Sequence, residues 1–129
     1  MDNIKLNNGV EMPTIVETTN WMDYPVMKKL VTAGMQIGFR AFDTARDYGN
    51  EDIVGRVMKE CLKEQGLSRK DIFITTKIGN SQQALGNIEE QVDMSLKNLQ
   101  TDYIDLWLMH WPYPGHYVDT WHKMEKVYK

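Results

Sequence analysis

Short, nearly continuous apolar runs alternate along this chain with longer segments whose apolar residues recur every three or four positions. The first kind suits strands covered on both faces, the second amphipathic helices. TIVETT (14–19) reads as a strand and precedes the helical PVMKKLVTAG (25–34), with Pro25 in the first turn and Gly34 as the stop. FRAFDTA (39–45) is the next strand. NEDIVGRVMKECLKEQG (50–66) is the next helix, where Ile53, Val54, Val57, Met58, Cys61 and Leu62 share a face and Gly66 ends it. DIFITTKI (71–78), rich in β-branched residues, is a strand. Residues 84–99 read as one helix with Ile88, Val92, Leu96 and Leu99 along one side. YIDLWLMHW (103–111) is a strand that Pro112 and Pro114 interrupt, and VDTWHKMEKVYK (118–129) is a last helix. Ahead of these units, IKLNNGVEMP sets Asn8-Gly9 between two extended runs, the signal for a two-residue hairpin turn with both turn residues at positive φ.

A hairpin followed by four strand–helix units predicts an α/β fold, a parallel sheet with helices packed outside it. Periodicity does not distinguish an open sheet from a closed one. At 129 residues and 42% hydrophobic, the chain suits a single domain with one core. A net charge of −3 without a basic stripe argues against nucleic acid as a partner. The apolar runs are too short to span a membrane, and MDNIKLNNG lacks the basic and apolar regions of a secretory signal, so the expected compartment is the cytoplasm. The single cysteine, Cys61, lies among Val57, Met58 and Leu62 and reads as a buried core thiol. His116 and His122 share no metal-ligand spacing with a carboxylate or thiol and read as solvent-side residues.

Parallel α/β folds place their chemistry at the carboxyl ends of the strands. Asp43, Lys77 and His110 end three successive predicted strands here, and Tyr48 stands in the loop just past Asp43. Alternation puts Leu108, Leu106 and Ile104 on the face of His110, and Thr75 and Phe73 on that of Lys77. A lysine and an aspartate at that depth would pair, because burying either alone is costly. A phenol, with an ordinary pKa near ~10, exchanges its proton slowly at neutral pH, and a neighbouring ammonium favours the phenolate. With a histidine donating to an oxygen beside it, such a set suits protonation of a carbonyl becoming an alkoxide, the hydride coming from a cofactor. Each residue taken singly has a plainer reading: a structural ion pair, a core histidine, a packed tyrosine.

GFRAFDTARDYGNEDIVG (38–55) resembles the signature of the aldo-keto reductase family, FITTK and LMHWP resemble its lysine and histidine segments, and LNNGVEMP is similar to its N-terminal hairpin. The resemblance runs through the whole chain. It implies that residues 1–129 are the N-terminal half of a TIM (β/α)₈ barrel, and that the activity is NAD(P)H-dependent reduction of an aldehyde or ketone. It casts Tyr48 as proton donor, Lys77 and Asp43 as the residues that tune it, and His110 as the one that orients the carbonyl. Trp21 and Trp111 match aromatic positions of the substrate pocket. The implied cofactor is NADPH, with NADH possible, and the implied partner is a small carbonyl substrate.

Two departures stand beside it. Where the family has a Gly-x-Gly-Thr stretch after its first strand, this chain has Glu17-Thr18-Thr19-Asn20 and one residue more before Trp21. Thr19 and Asn20 there either contact the cofactor, with Asp43 beside it, or crowd it. A full barrel also needs about 250 residues, and this chain supplies four units. Exposed sheet edges and an apolar inner face predict association, as a homodimer or with a missing C-terminal half. The alternatives are a catalytically silent half-barrel serving as an assembly module, and a nucleotide-binding regulatory subunit.

Overall fold

The computed structural model describes residues 2–128. Strands β1 (Asn3–Lys5) and β2 (Glu11–Pro13) pair antiparallel. A second sheet is parallel and has four strands in chain order: β3 (Glu17–Thr18), β4 (Ala41–Asp43), β5 (Phe73–Ile78) and β6 (Leu106–Met109). Helices α1 (Tyr24–Gln36) and α2 (Glu51–Glu64) follow β3 and β4. The short α3 (Asn80–Leu85) and then α4 (Ile88–Leu99) follow β5, and α5 (Tyr117–Tyr128) follows β6. The expected α/β order of hairpin and four strand–helix units is therefore present, with Lys129 of the last expected helix outside the described residues.

The helices lie over one face of the parallel sheet. Met27, Val31 and Met35 of α1 meet Val54, Val57, Met58, Cys61 and Leu62 of α2 over Phe42 and Ile74. A smaller cluster joins Ile78, Ile88 and Met124 to Trp107 and Met109. Each such side chain, fully buried, contributes about 1.5–3 kcal/mol. Since Ile74 and Ile78 face the helices, strand alternation sends Phe73, Thr75 and Lys77 to the opposite face. The register pairs Asp43 with Thr75 and Lys77 with Leu108, which aligns the strands' carboxyl ends.

Local chemistry departs from the sequence pattern at five places. The hairpin loop has three residues: Leu6 N–H donates to the Val10 carbonyl (2.8 Å) and Gly9 N–H to that of Leu6 (2.9 Å). Only Gly9 is left-handed, because the Asn8 side chain accepts the Val10 amide and holds a turn of ordinary φ. Gly34 does not stop α1, which runs on to Gln36. It is buried where a β-carbon would strike the Glu17 carboxylate, and the left-handed exit belongs to Gly38. Residues 84–99 are not one helix. Left-handed Gly86 closes α3, and the Asn87 carbonyl opens α4 by accepting Gln91 N–H (3.1 Å). Of residues 14–19 only Glu17 and Thr18 pair as strand. Ile104, expected beside Leu106, packs instead against the helix-side cluster, because the strand begins only at Leu106.

Candidate functional site

Asp43 is the last residue of β4, facing the side of the sheet away from the helices. Lys77 reaches it from the neighbouring strand: its Nζ donates to Asp43 Oδ2 at 2.6 Å and to the Thr44 carbonyl at 2.9 Å. The pair is largely shielded, with 14% and 24% of the two side chains exposed. A pair this enclosed is favourable only because both partners are present, and removing either leaves an uncompensated charge.

Tyr48 arrives on a 3₁₀ turn, Arg46–Tyr48, that left-handed Gly49 closes. Its hydroxyl lies 3.4 Å from Lys77 Nζ, and the ammonium stands 5.0 Å from the ring centroid. Asn50 anchors that turn: its amide donates to the carbonyls of Thr19 (2.8 Å) and Met22 (3.1 Å), tying the loop after β3 to the loop after β4. His110 extends the ladder past β6, its N–H donating to the Ile78 carbonyl at 2.9 Å. Its ring meets Tyr48 edge to face, centroids 5.7 Å apart. The four residues singled out from the sequence thus form one cluster.

The remaining candidates divide. Trp111 stacks on His110 with centroids 5.9 Å apart and is 62% exposed, while its carbonyl accepts from Gln83 Nε2 (2.9 Å). Trp21 is 90% exposed at a positive φ of 59° and stands at the mouth of the β3 loop. Thr19 is buried, and both its N–H and its hydroxyl donate to the Asp43 carbonyl at 3.0 Å, so that hydroxyl is used in joining strands. Asn20 Oδ1 and Thr44 Oγ1 are buried without a protein partner. Such orphaned polar atoms beside Asp43 fit a polar ligand such as a carboxamide.

Two residues that flank the cluster escape the sequence pattern. Asp47 Oδ2 lies 3.3 Å from His110 Nδ1, though not aligned for a hydrogen bond. Glu51, nearly sealed from solvent, accepts from Thr76 Oγ1 (2.7 Å) and Ser95 Oγ (3.2 Å) and pairs with Arg46 (3.4 Å), which holds the start of α2 against β5. For Asp47 the only available signal is its place beside Tyr48, since a 3₁₀ turn has no face that periodicity reveals.

Fold and cluster together define a parallel α/β barrel segment with its polar site at the strand carboxyl ends. The model of the aldo/keto reductase family matches residues 12–129, and the chain belongs to that family. It is 40% identical to a glyoxal reductase of Bacillus subtilis (strain 168), over 99% of this chain and 45% of that protein. It is 38% identical to a methylglyoxal reductase of Escherichia coli O157:H7, over 98% and 44% respectively. The aldose reductase structure from Schistosoma japonicum superposes with a TM-score of 0.88 at 31% identity, over 98% of this chain and 49% of that one. A Bombyx mori aldo-keto reductase in complex with NADP superposes at 0.87, with 29% identity, over 98% and 46%. The chain thus spans about half the length of these relatives. Among the described residues no helix is long and apolar enough to cross a membrane.

Proposed function

We propose that residues 1–129 form the catalytic face of an NAD(P)H-dependent reductase of small aldehydes or ketones, the N-terminal half of a (β/α)₈ barrel working in the cytoplasm. The observation that carries this reading is the placement of Lys77 Nζ, 2.6 Å from Asp43 and 3.4 Å from the Tyr48 hydroxyl. Asp43 holds the ammonium in position. The ammonium stabilises the phenolate that remains once Tyr48 has given its proton to the substrate oxygen. His110, edge-on to the phenol, orients the carbonyl oxygen toward that proton. Trp111 and Trp21 offer aromatic surface to the substrate's apolar part.

NADPH, or NADH, supplies the hydride to the carbonyl carbon when bound. Of this chain's residues, Asp43 and the unpartnered side-chain oxygen of Asn20 are suited to hold its polar head, and Thr19 shapes the wall behind them. The rest of the cofactor groove belongs to a second half-barrel, from further chain or from a second copy.

A second reading, an assembly module without turnover, is favoured by the inner face, where Leu108 and Trp111 are open to solvent. Titration with NADPH, followed by cofactor and tryptophan fluorescence, decides between them when joined to an assay with methylglyoxal. Saturable binding and NADPH oxidation that Tyr48→Phe lowers at least a hundredfold are the expected results. Undiminished turnover in Tyr48→Phe removes that residue as the donor, and no binding at millimolar cofactor leaves the module reading.

A further inference from the structure

The charges around Tyr48 do not cancel. Lys77 is matched by Asp43 at 2.6 Å, and Arg46 by Glu51 at 3.4 Å. Asp47 lies on the same turn as Arg46 and Tyr48. Among the described residues its carboxylate pairs with no lysine or arginine; its one ion-pair neighbour is His110 Nδ1 at 3.3 Å. The side chain is 37% exposed, enough to meet a bound small molecule. Room for it is made at residue 79, where a β-carbon on Gly79 would run into the Asp47 carboxyl group. Gly79 has an ordinary φ, so the space it leaves, not its backbone freedom, is what the glycine provides.

We propose that Asp47 is a specificity-determining residue of the carbonyl site, admitting uncharged carbonyl compounds and excluding those with a carboxylate beside the carbonyl. This rests on the reductase reading above. A carbonyl oxygen placed to receive the Tyr48 proton lies next to His110, and a carboxylate on the adjoining carbon is then brought close to Asp47. The Lys77 ammonium does not offset this, because Asp43 already holds it. Two like charges a few ångströms apart in a partly enclosed site repel strongly, and discrimination between substrates is commonly built from such a repulsive contact. Allowing for solvent at a part-exposed carboxylate, the effect is about tenfold.

The test compares the 129-residue chain with its isosteric variant Asp47→Asn, using methylglyoxal and glyoxylate as the uncharged and anionic substrates. The ratio of kcat/KM for methylglyoxal over glyoxylate is expected to fall about tenfold in Asp47→Asn, chiefly through a lower KM for glyoxylate. An unchanged ratio overturns the proposal. A second measurement needs no turnover: quenching of Trp111 fluorescence by iodide and by acrylamide, isolated by difference against Trp111→Phe. Iodide quenching is expected to rise about twofold in Asp47→Asn while acrylamide quenching stays level, and equal iodide quenching also overturns the proposal. Failure of both substrates to react in both proteins rules out turnover by the 129-residue chain alone, and the iodide comparison then decides the role of Asp47.

Discussion

Glu51, buried whole, and Glu17, buried at one oxygen, show how differently two carboxylates are treated. Glu51 is 2% exposed, yet Thr76, Ser95 and Arg46 all donate to it. Glu51→Ala strands those three donors, and a loss of about 3 kcal/mol is expected in urea denaturation. Glu17 has no such company: its Oε2 is buried against Gly34 without a partner, and burial holds the carboxyl above its ordinary range. The folded chain therefore binds the Glu17 proton more tightly than the unfolded chain does. Its contribution to stability is fully present below the ordinary carboxylate range and is lost as pH rises through the raised value. Glu17→Gln should raise the urea midpoint at pH 7 and flatten that part of the pH profile; an unchanged midpoint would show that water reaches the carboxylate. At this scale Asp43, Tyr48, Lys77 and His110 were legible in the sequence, because each follows or ends a recognisable strand. Asp47 and Asn50 were not, because what matters about them is which distant backbone or ring they face.

Between elements, α2 packs closely on α4. Gly55 lies where a β-carbon would strike the Asn98 carbonyl and the backbone of Leu99, atoms that cannot turn aside. Gly55→Ala improves helix propensity, yet a net loss of about 1–3 kcal/mol is expected from the forced separation. Thermal denaturation measures it, and a stabilised variant would show that the two helices can move apart freely. The same elements show the limit of periodicity. Residues 84–99 carry apolar positions that suit one helix, yet Gly86 at φ +74° breaks it. The break is held by Lys123 from α5, whose ammonium donates to the Gly86 carbonyl at 3.0 Å. No window of sequence around Gly86 contains Lys123.

At the scale of the molecule, β3 and β6 each have a neighbour on one side only among the described residues. Leu108, Trp111 and Trp121 are between 38% and 62% exposed. Open edges and uncovered apolar surface favour association. The 129-residue chain studied by itself is expected to associate in a concentration-dependent way in sedimentation, and a monomer at every concentration would show that the edges are tolerated. The order of strands and helices, the parallel sheet and the helix-facing sides were set by the sequence alone, since period and turn chemistry are local properties that neighbouring residues express together. Tertiary structure alone decided that Lys77 is divided between Asp43, the Thr44 carbonyl and Tyr48, that Gly34 makes room for Glu17, and that Asp47 stands unmatched beside His110. Those relations join residues at least 17 positions apart in the chain, and only strand register together with the packing of helix and turn on the sheet brings them within a few ångströms.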